Sequence, residues 1–178
     1  MLKMIFIALI AALAIVMILA ALKPDQFSIS RSVVIKALPE KISPLINDFH
    51  NMQTWSAWEK IDPAMKRTYS GAANGVGAQY AWEGNKDIGS GSMEITESTP
   101  TKITMKLDFT APFEAHNKVD FTLTPSGEST TVKQEMYGPS PYVSKVMSLV
   151  FSMDKMVGLK FEEGLANLKA TAEKIANL

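Results

Sequence analysis

Cysteine is absent from this 178-residue chain, which excludes disulfides, thiolate nucleophiles and thiolate metal sites. Histidine is nearly absent: only His50 and His116 occur, and neither stands in a metal-ligand spacing such as His-Glu-x-x-His. Neither charge sign prevails, because 18 Lys and Arg balance 18 Asp and Glu. A nucleic-acid surface needs a basic excess on one face, so no nucleic-acid partner is expected. No Gly-x-Ser-x-Gly elbow occurs, since Gly89-Ser90-Gly91-Ser92 leads into a strand pattern. Gly75-Val76-Gly77 lacks the third glycine of a dinucleotide loop and also precedes a strand pattern. The expectation is therefore of no metal, no cofactor and no catalytic residue recognisable from a motif. Internal repeats and low-complexity tracts are also missing.

One absence is local. Residues 4–22 carry no charge, glycine, proline or polar side chain, and Lys3 and Lys23 bracket them. As a helix this run is about 28 Å long, close to the thickness of a hydrocarbon core. A cleaved signal peptide usually has an apolar stretch of about 7–15 residues and a small-x-small site. This run is longer, and Leu19-Ala20-Ala21 puts a bulky residue where a small one is wanted, so a retained anchor is favoured. A buried core helix would show a polar stripe, and none is present. The reading divides the chain into a transmembrane anchor, 1–23, in contact with the bilayer through residues 4–22, and one water-soluble domain, 24–178. The short amino-terminal flank favours a non-cytoplasmic domain, although Lys23, Arg31 and Lys36 weigh the other way under the positive-inside rule.

Beyond Lys23-Pro24 the pattern changes. Phe27 to Ile35 alternates as a half-buried strand, and Pro39 opens a short helix over residues 40–49. Trp55 and Trp58 share a face if their segment is helical. From Met65 the period is two, and turn signals separate six candidate strands. Their dry face collects Ala78, Tyr80, Trp82, Met93, Ile95, Ile103, Met105, Leu107, Phe109, Val119, Phe121, Leu123, Val132 and Met136. Parity adds Arg31, Glu97, Asn117 and Gln134 to that face, unless bulges or strand ends turn them to solvent. From Tyr142 onward a 3.6-residue period predicts one long amphipathic helix, with a kink or short break expected at Ser152–Asp154 or Gly158. Glu162 and Glu163 read as solvated.

Several stretches together resemble the START/Bet v 1-like (SRPBCC) superfamily with its helix-grip fold. They are Arg31-Ser32-Val33-Val34-Ile35, Trp55-Ser56-Ala57-Trp58 with Asp62-Pro63-Ala64-Met65, Tyr69-Ser70-Gly71 before Gly75-Val76-Gly77-Ala78, Trp82-Glu83-Gly84-Asn85, and Phe161-Glu162-Glu163-Gly164-Leu165. The nearest likeness is to bacterial polyketide cyclase/dehydrase and lipid-transport-like proteins, over residues 26–175. The resemblance implies an α+β fold in which a curved antiparallel sheet of about seven strands surrounds a long C-terminal helix, and it suggests a bacterial inner membrane. It also implies a pocket for a hydrophobic small molecule or lipid between sheet and helix. The inward positions expected to line it are Trp55, Trp58, Tyr80, Trp82, Met93, Met105, Phe109, Phe121, Met136, Met147 and Phe151, with Arg31 and Glu97 as polar members. Methionine suits either packing or an adaptable apolar site.

Three functions remain open on these residues. The first is a membrane-anchored binding module for an apolar molecule. The second is a cyclase-type enzyme, with Tyr80, Tyr137, Arg31 and Glu97 as its only plausible polar groups. The third is a partner-binding domain with a collapsed pocket, its protein partner unknown.

Overall fold

A computed structural model describes residues 2–177, with side chains from residue 3. Helix α1 (Leu2–Ala21) leads into strand β1 (Gln26–Ile35). Short helices α2 (Pro39–Ile46) and α3 (Phe49–Met52) follow, then a 3-10 turn (Ala57–Lys60). Six more strands come next: β2 (Lys66–Gly71), β3 (Ala78–Glu83), β4 (Ser90–Ser98), β5 (Lys102–Ala111), β6 (Ala115–Ser126) and β7 (Ser129–Pro139). Helices α4 (Tyr142–Met147) and α5 (Met153–Ala176) complete the chain. The fold is the α+β arrangement expected, a seven-stranded sheet in the order β1-β7-β6-β5-β4-β3-β2 with every pair antiparallel.

Cross-strand register arranges the inner face in rows. One row runs Arg31, Gln134, Phe121, Ile103 and the next Ile29, Met136, Val119, Met105, Ile95. A third runs Asn117, Leu107, Met93, Tyr80, Tyr69, and a fourth Phe109, Gly91, Trp82, Arg67. Gly91 has a steric reason to be glycine, because a Cβ there would lie 2.6 Å from the Trp82 ring. Helix α5 runs along β1 and covers the first rows with Val157, Phe161, Leu165, Leu168 and Ala172, all buried. Trp55 meets Phe121 edge-on at 5.9 Å between ring centres, and its indole Nε1 donates to the Leu45 carbonyl at 2.7 Å.

The structure corrects two local expectations and bears out the break expected at Ser152. The single helix over 40–49 is two, because extended Asp48 ends the run and its side chain caps α3 by accepting from the His50 amide at 2.8 Å. The Trp55–Trp58 stretch is not one helical face: Trp55 precedes the 3-10 turn and is buried, whereas Trp58 within it is only partly buried. The long C-terminal helix is fully broken between Met147 and Met153, and the Ser152 hydroxyl restarts it by accepting from the Lys155 amide at 3.2 Å. Gly158 does not break α5. Its missing side chain admits Arg31, whose Nη2 would lie 2.1 Å from a Cβ at that position.

Phe121 is 2 % exposed and lies beneath Trp55. Phe121→Ala is expected to lower unfolding stability by about 3–5 kcal/mol, the usual cost of deleting a buried aromatic ring. Denaturant unfolding of the two proteins in one detergent checks this.

Candidate functional site

The middle of the concave face is filled. Phe121, Ile103, Met105, Leu123, Leu165 and Leu168 each lose nearly all solvent contact there. Two concavities stand out among the described residues, and neither lies between sheet and α5. One is a face of α1 at Lys3, Ile5, Phe6 and Leu9. The other is a shallow groove of about 140 Å³ beside His50, Tyr69, Gly71 and Gln79. That is well below the roughly 300–1,000 Å³ of typical small-molecule pockets. The expected open pocket is therefore closed at its centre, with side chains occupying the space.

The packing loosens toward the end of the sheet where β1 begins. Phe27, Met93 and Phe109 belong to the inner face by register, yet all three are only partly buried. Two amides face inward: Asn117, 8 % exposed, in the row of Met93, and Gln134, 7 % exposed, two rows farther in beside Phe121. Gln134 Oε1 is buried without a hydrogen-bond partner among the described residues. An unpaired buried acceptor costs about 1–3 kcal/mol, so a donor placed beside it is favoured.

Beside this end Tyr80, expected to face inward, joins a polar network with Glu59 and Arg67, which no motif marks. Glu59, 9 % exposed, accepts from Arg67 Nε at 2.7 Å and from the Tyr80 hydroxyl at 2.7 Å. Burial, then the Glu59 carboxylate, pushes the Tyr80 phenol well above the ordinary tyrosine value. The Arg67 guanidinium is raised chiefly by its hydrogen bond to Glu59. Tyr69 is raised by burial, partly offset by the hydrogen bond from Gln53. The rings form a ladder: His50 stacks on Tyr69 at 4.1 Å, Tyr69 lies 5.3 Å from Tyr80, and Tyr80 stacks on Trp82 at 6.0 Å. Phe109 closes it edge-on to Trp82 at 5.7 Å. The inward parity of Tyr80 was the available signal, because a buried hydroxyl needs a partner.

The predicted site residues separate into groups. Trp55, Tyr80, Trp82, Met105, Phe121 and Met136 are core, Met93 and Phe109 border the looser end, and Trp58 is partly buried on the 3-10 turn. Met147 and Phe151 are corrected: both are exposed, because α4 turns away from the sheet toward α1. Glu97 is also corrected. A register shift between Ile95 and Glu97 turns its carboxylate to the outer side, where Lys102 Nζ reaches it at 2.9 Å and Thr104 at 3.2 Å. Tyr137 lies on that outer side as well, donating to Asp120 at 3.4 Å. Arg31 reaches α5 instead, with Nη1 on Asp154 at 3.0 Å and Nε on Glu162 at 2.6 Å, so Glu162 is an ion-pair partner in addition to being exposed. The four polar groups weighed for catalysis therefore do not converge. Among the described residues no cluster of three or more His, Asp and Glu forms a metal site.

A family model described as "Polyketide cyclase / dehydrase and lipid transport" matches residues 26–173. The Aha1 dimer from Colwellia psychrerythraea contains a similar chain, at 19 % identity, with 83 % of this chain and 96 % of that one covered and a TM-score of 0.57. Protein MLL2253 from Mesorhizobium loti aligns at 18 % identity over 83 % of this chain and 98 % of its own, with a TM-score of 0.58. The di-domain ARO/CYC StfQ from the steffimycin biosynthetic pathway aligns at 9 % identity over 86 % of this chain and 52 % of its own, with a TM-score of 0.61. At such identities these likenesses establish the fold alone. No curated protein matches the chain.

Two outcomes follow from this geometry. Glu59→Ala strands the Arg67 guanidinium and the Tyr80 hydroxyl and is expected to cost about 3–5 kcal/mol, as when one partner of a buried pair is removed. Glu59→Gln should cost less, and denaturant unfolding ranks the two. Arg31 holds the Asp154 carboxyl below the ordinary aspartate value, burial opposing in part. A depressed folded value means that the contribution is present above the unfolded value, near 3.8, and is lost as pH falls through the folded one. Protection factors of the Lys155 and Met156 amides, corrected for intrinsic exchange, should therefore fall selectively in acid, whereas in Arg31→Met they should be low at neutral pH already.

Proposed function

The chain belongs to the polyketide cyclase / dehydrase and lipid transport family, and on that basis we propose a membrane-anchored module that binds a lipid-like or polycyclic apolar molecule. The ligand would occupy the looser end of the concave face, between Met93, Phe109 and the α4–α5 segment. The observation that carries this reading is the partly open inner face with a buried, unpartnered Gln134 acceptor behind it. An apolar guest with one hydroxyl or amide donor suits both features. Methionines 93, 105 and 136 lie in adjoining rows, and their flexible thioethers can shift to make room.

Tethering rests on α1. Lys3–Ala21 is long and apolar enough to cross a membrane, and nearly all of it is uncovered by the rest of the chain. A signal sequence passes the same test of length and composition. The anchor is preferred because residues of α1 make specific contacts with the folded part: Tyr142 Oη donates to the Met17 carbonyl at 2.8 Å, and Ala20 is buried. A signal sequence destined for removal has no need of such contacts. The folded part would stand on the non-cytoplasmic side of a bacterial inner membrane, a placement supported by the short flank before the anchor and opposed by Lys23, Arg31 and Lys36 after it.

Binding is preferred to catalysis on chemical grounds. Proton-transfer catalysis needs an acid or base within hydrogen-bond reach of the substrate. The buried ionisable groups beside the looser end, Glu59 and Tyr80, are already satisfied by each other and by Arg67.

Native mass spectrometry of the detergent-purified full chain is expected to show a discrete bound hydrophobe, recoverable by solvent extraction. Met93→Trp, which fills the looser end without disturbing the packed centre, should weaken rebinding of that molecule at least about tenfold, or about 1.4 kcal/mol. A wild-type chain that carries nothing and retains no apolar probe overturns the proposal and favours the collapsed, partner-holding reading.

A further inference from the structure

Apolar side chains left in water on a folded surface normally occur singly. Here Val143, Val150, Phe151, Met156 and Leu159 are each more than half exposed, and all fall within one short stretch of α4, the following turn and the start of α5. Two of the charged groups of this stretch are engaged elsewhere, while Lys155 stands exposed beside Met156, as a basic residue at a lipid interface does. Lys145 is buried with its Nζ 2.5 Å from Asp25, and Asp154 is held by Arg31. Neither sheet nor α5 covers the apolar side chains.

Their position relative to α1 identifies what does. Tyr142 reaches the carbonyl of Met17, about 6 Å along the helix axis from Ala21 at 1.5 Å per residue. Lys23 Nζ donates to the Ser148 carbonyl at 3.3 Å, and the Ser140 amide donates to the Asp25 carbonyl at 2.7 Å. Helix α4 is therefore held against the last turns of the apolar helix, at the level where a spanning α1 would leave the hydrocarbon. A tyrosine and an amphipathic short helix at that level are what an interface accommodates. The turn between β5 and β6 opens at the same end of the sheet, and Phe113 at its tip is exposed.

We infer that α4, the α4–α5 turn and the first turns of α5 form a bilayer-docking face, continuous with the anchor, that seats the domain on the lipid surface with the looser end of its concave face turned toward the membrane. This rests on the anchor reading and adds to it an orientation: the domain does not swing freely on a tether. The face would also give an apolar ligand a path between bilayer and sheet without crossing water.

The absence of cysteine makes single-site labelling clean. Full-length Val150→Cys and Met156→Cys, each carrying a fluorophore, are reconstituted in nanodiscs with and without brominated phosphatidylcholine. Leu13→Cys in α1 reports the anchor, and Glu128→Cys in the β6–β7 turn reports the far end of the sheet. The inference expects labels at 150 and 156 to be quenched nearly as much as the label at 13, and several-fold more than the label at 128. Quenching at 13 alone, with 150 and 156 matching 128, overturns the docking face while leaving the anchor intact. No quenching at 13 overturns the anchor reading and the docking face with it. Unquenched labels at 150 that cross-link to a second copy overturn it in favour of a dimer contact. Val150→Lys with Met156→Lys, unchanged in circular dichroism, should abolish quenching of a label at Phe151→Cys; persistence of that quenching also counts against the face.

Discussion

The antiparallel pairing of β1 with β7 is the constraint on which the rest of the molecule depends. Strand β1 starts four residues after α1 ends, so β7, running the other way, must finish beside the anchor. Everything after β7 then emerges at that end. Helix α4 has nowhere to pack except against the last turns of α1, and α5 must set out from there along β1 toward the far end. The ionic contacts of Arg31 with Asp154 and Glu162 fix the start of α5, while the Lys36 amide donates to Glu173 near its finish at 2.8 Å. One strand pairing thus brings the anchor, the exposed apolar segment and the loosest part of the core to a single end of the sheet.

The interior shows two regimes along the strands. Near the far end, rows of Ile, Val, Leu and Phe meet α5 and leave little space, as close-packed cores do. Toward the anchor end the inner face turns to methionine, aromatic rings and Asn117, and Phe27, Met93 and Phe109 there are only partly buried. Tyr80, Glu59 and Arg67 tie the wall of this region to the 3-10 turn, which keeps a buried carboxylate paired on both oxygens. The first regime supplies stability. The second is where a guest could be admitted at small cost, because the side chains there already touch solvent or rearrange easily.

Much of the fold was legible in the sequence, since alternation and turn residues are local signals. The strands from Met65 onward, the inner positions from Tyr80 to Met136 and the apolar run of α1 all follow from residue order alone. The errors arose where a nonlocal or subtle backbone choice decided the outcome. Glu97 changed face because of a bulge that no residue pattern announced. Met147 and Phe151 kept a helical period, yet the chain breaks after α4, since contact with α1 competes with continuing the helix over the sheet. Glu59 was invisible as a buried acceptor because its partners, Arg67 and Tyr80, come from two different strands. The resemblance to helix-grip proteins located the cleft but not how much of it is filled.

In the proposed arrangement, the β1-defined end of the sheet lies on the bilayer and the β6–β7 turn points away. Pulsed electron paramagnetic resonance from single spin labels to gadolinium-chelate lipid headgroups tests this most directly. With labels at positions 113 and 127, in the turns flanking the two ends of the 12-residue β6, the account predicts a short distance at 113 and one greater by up to about 40 Å at 127, the span of that strand at about 3.3 Å per residue. Equal distances, or a shorter one at 127, would contradict it.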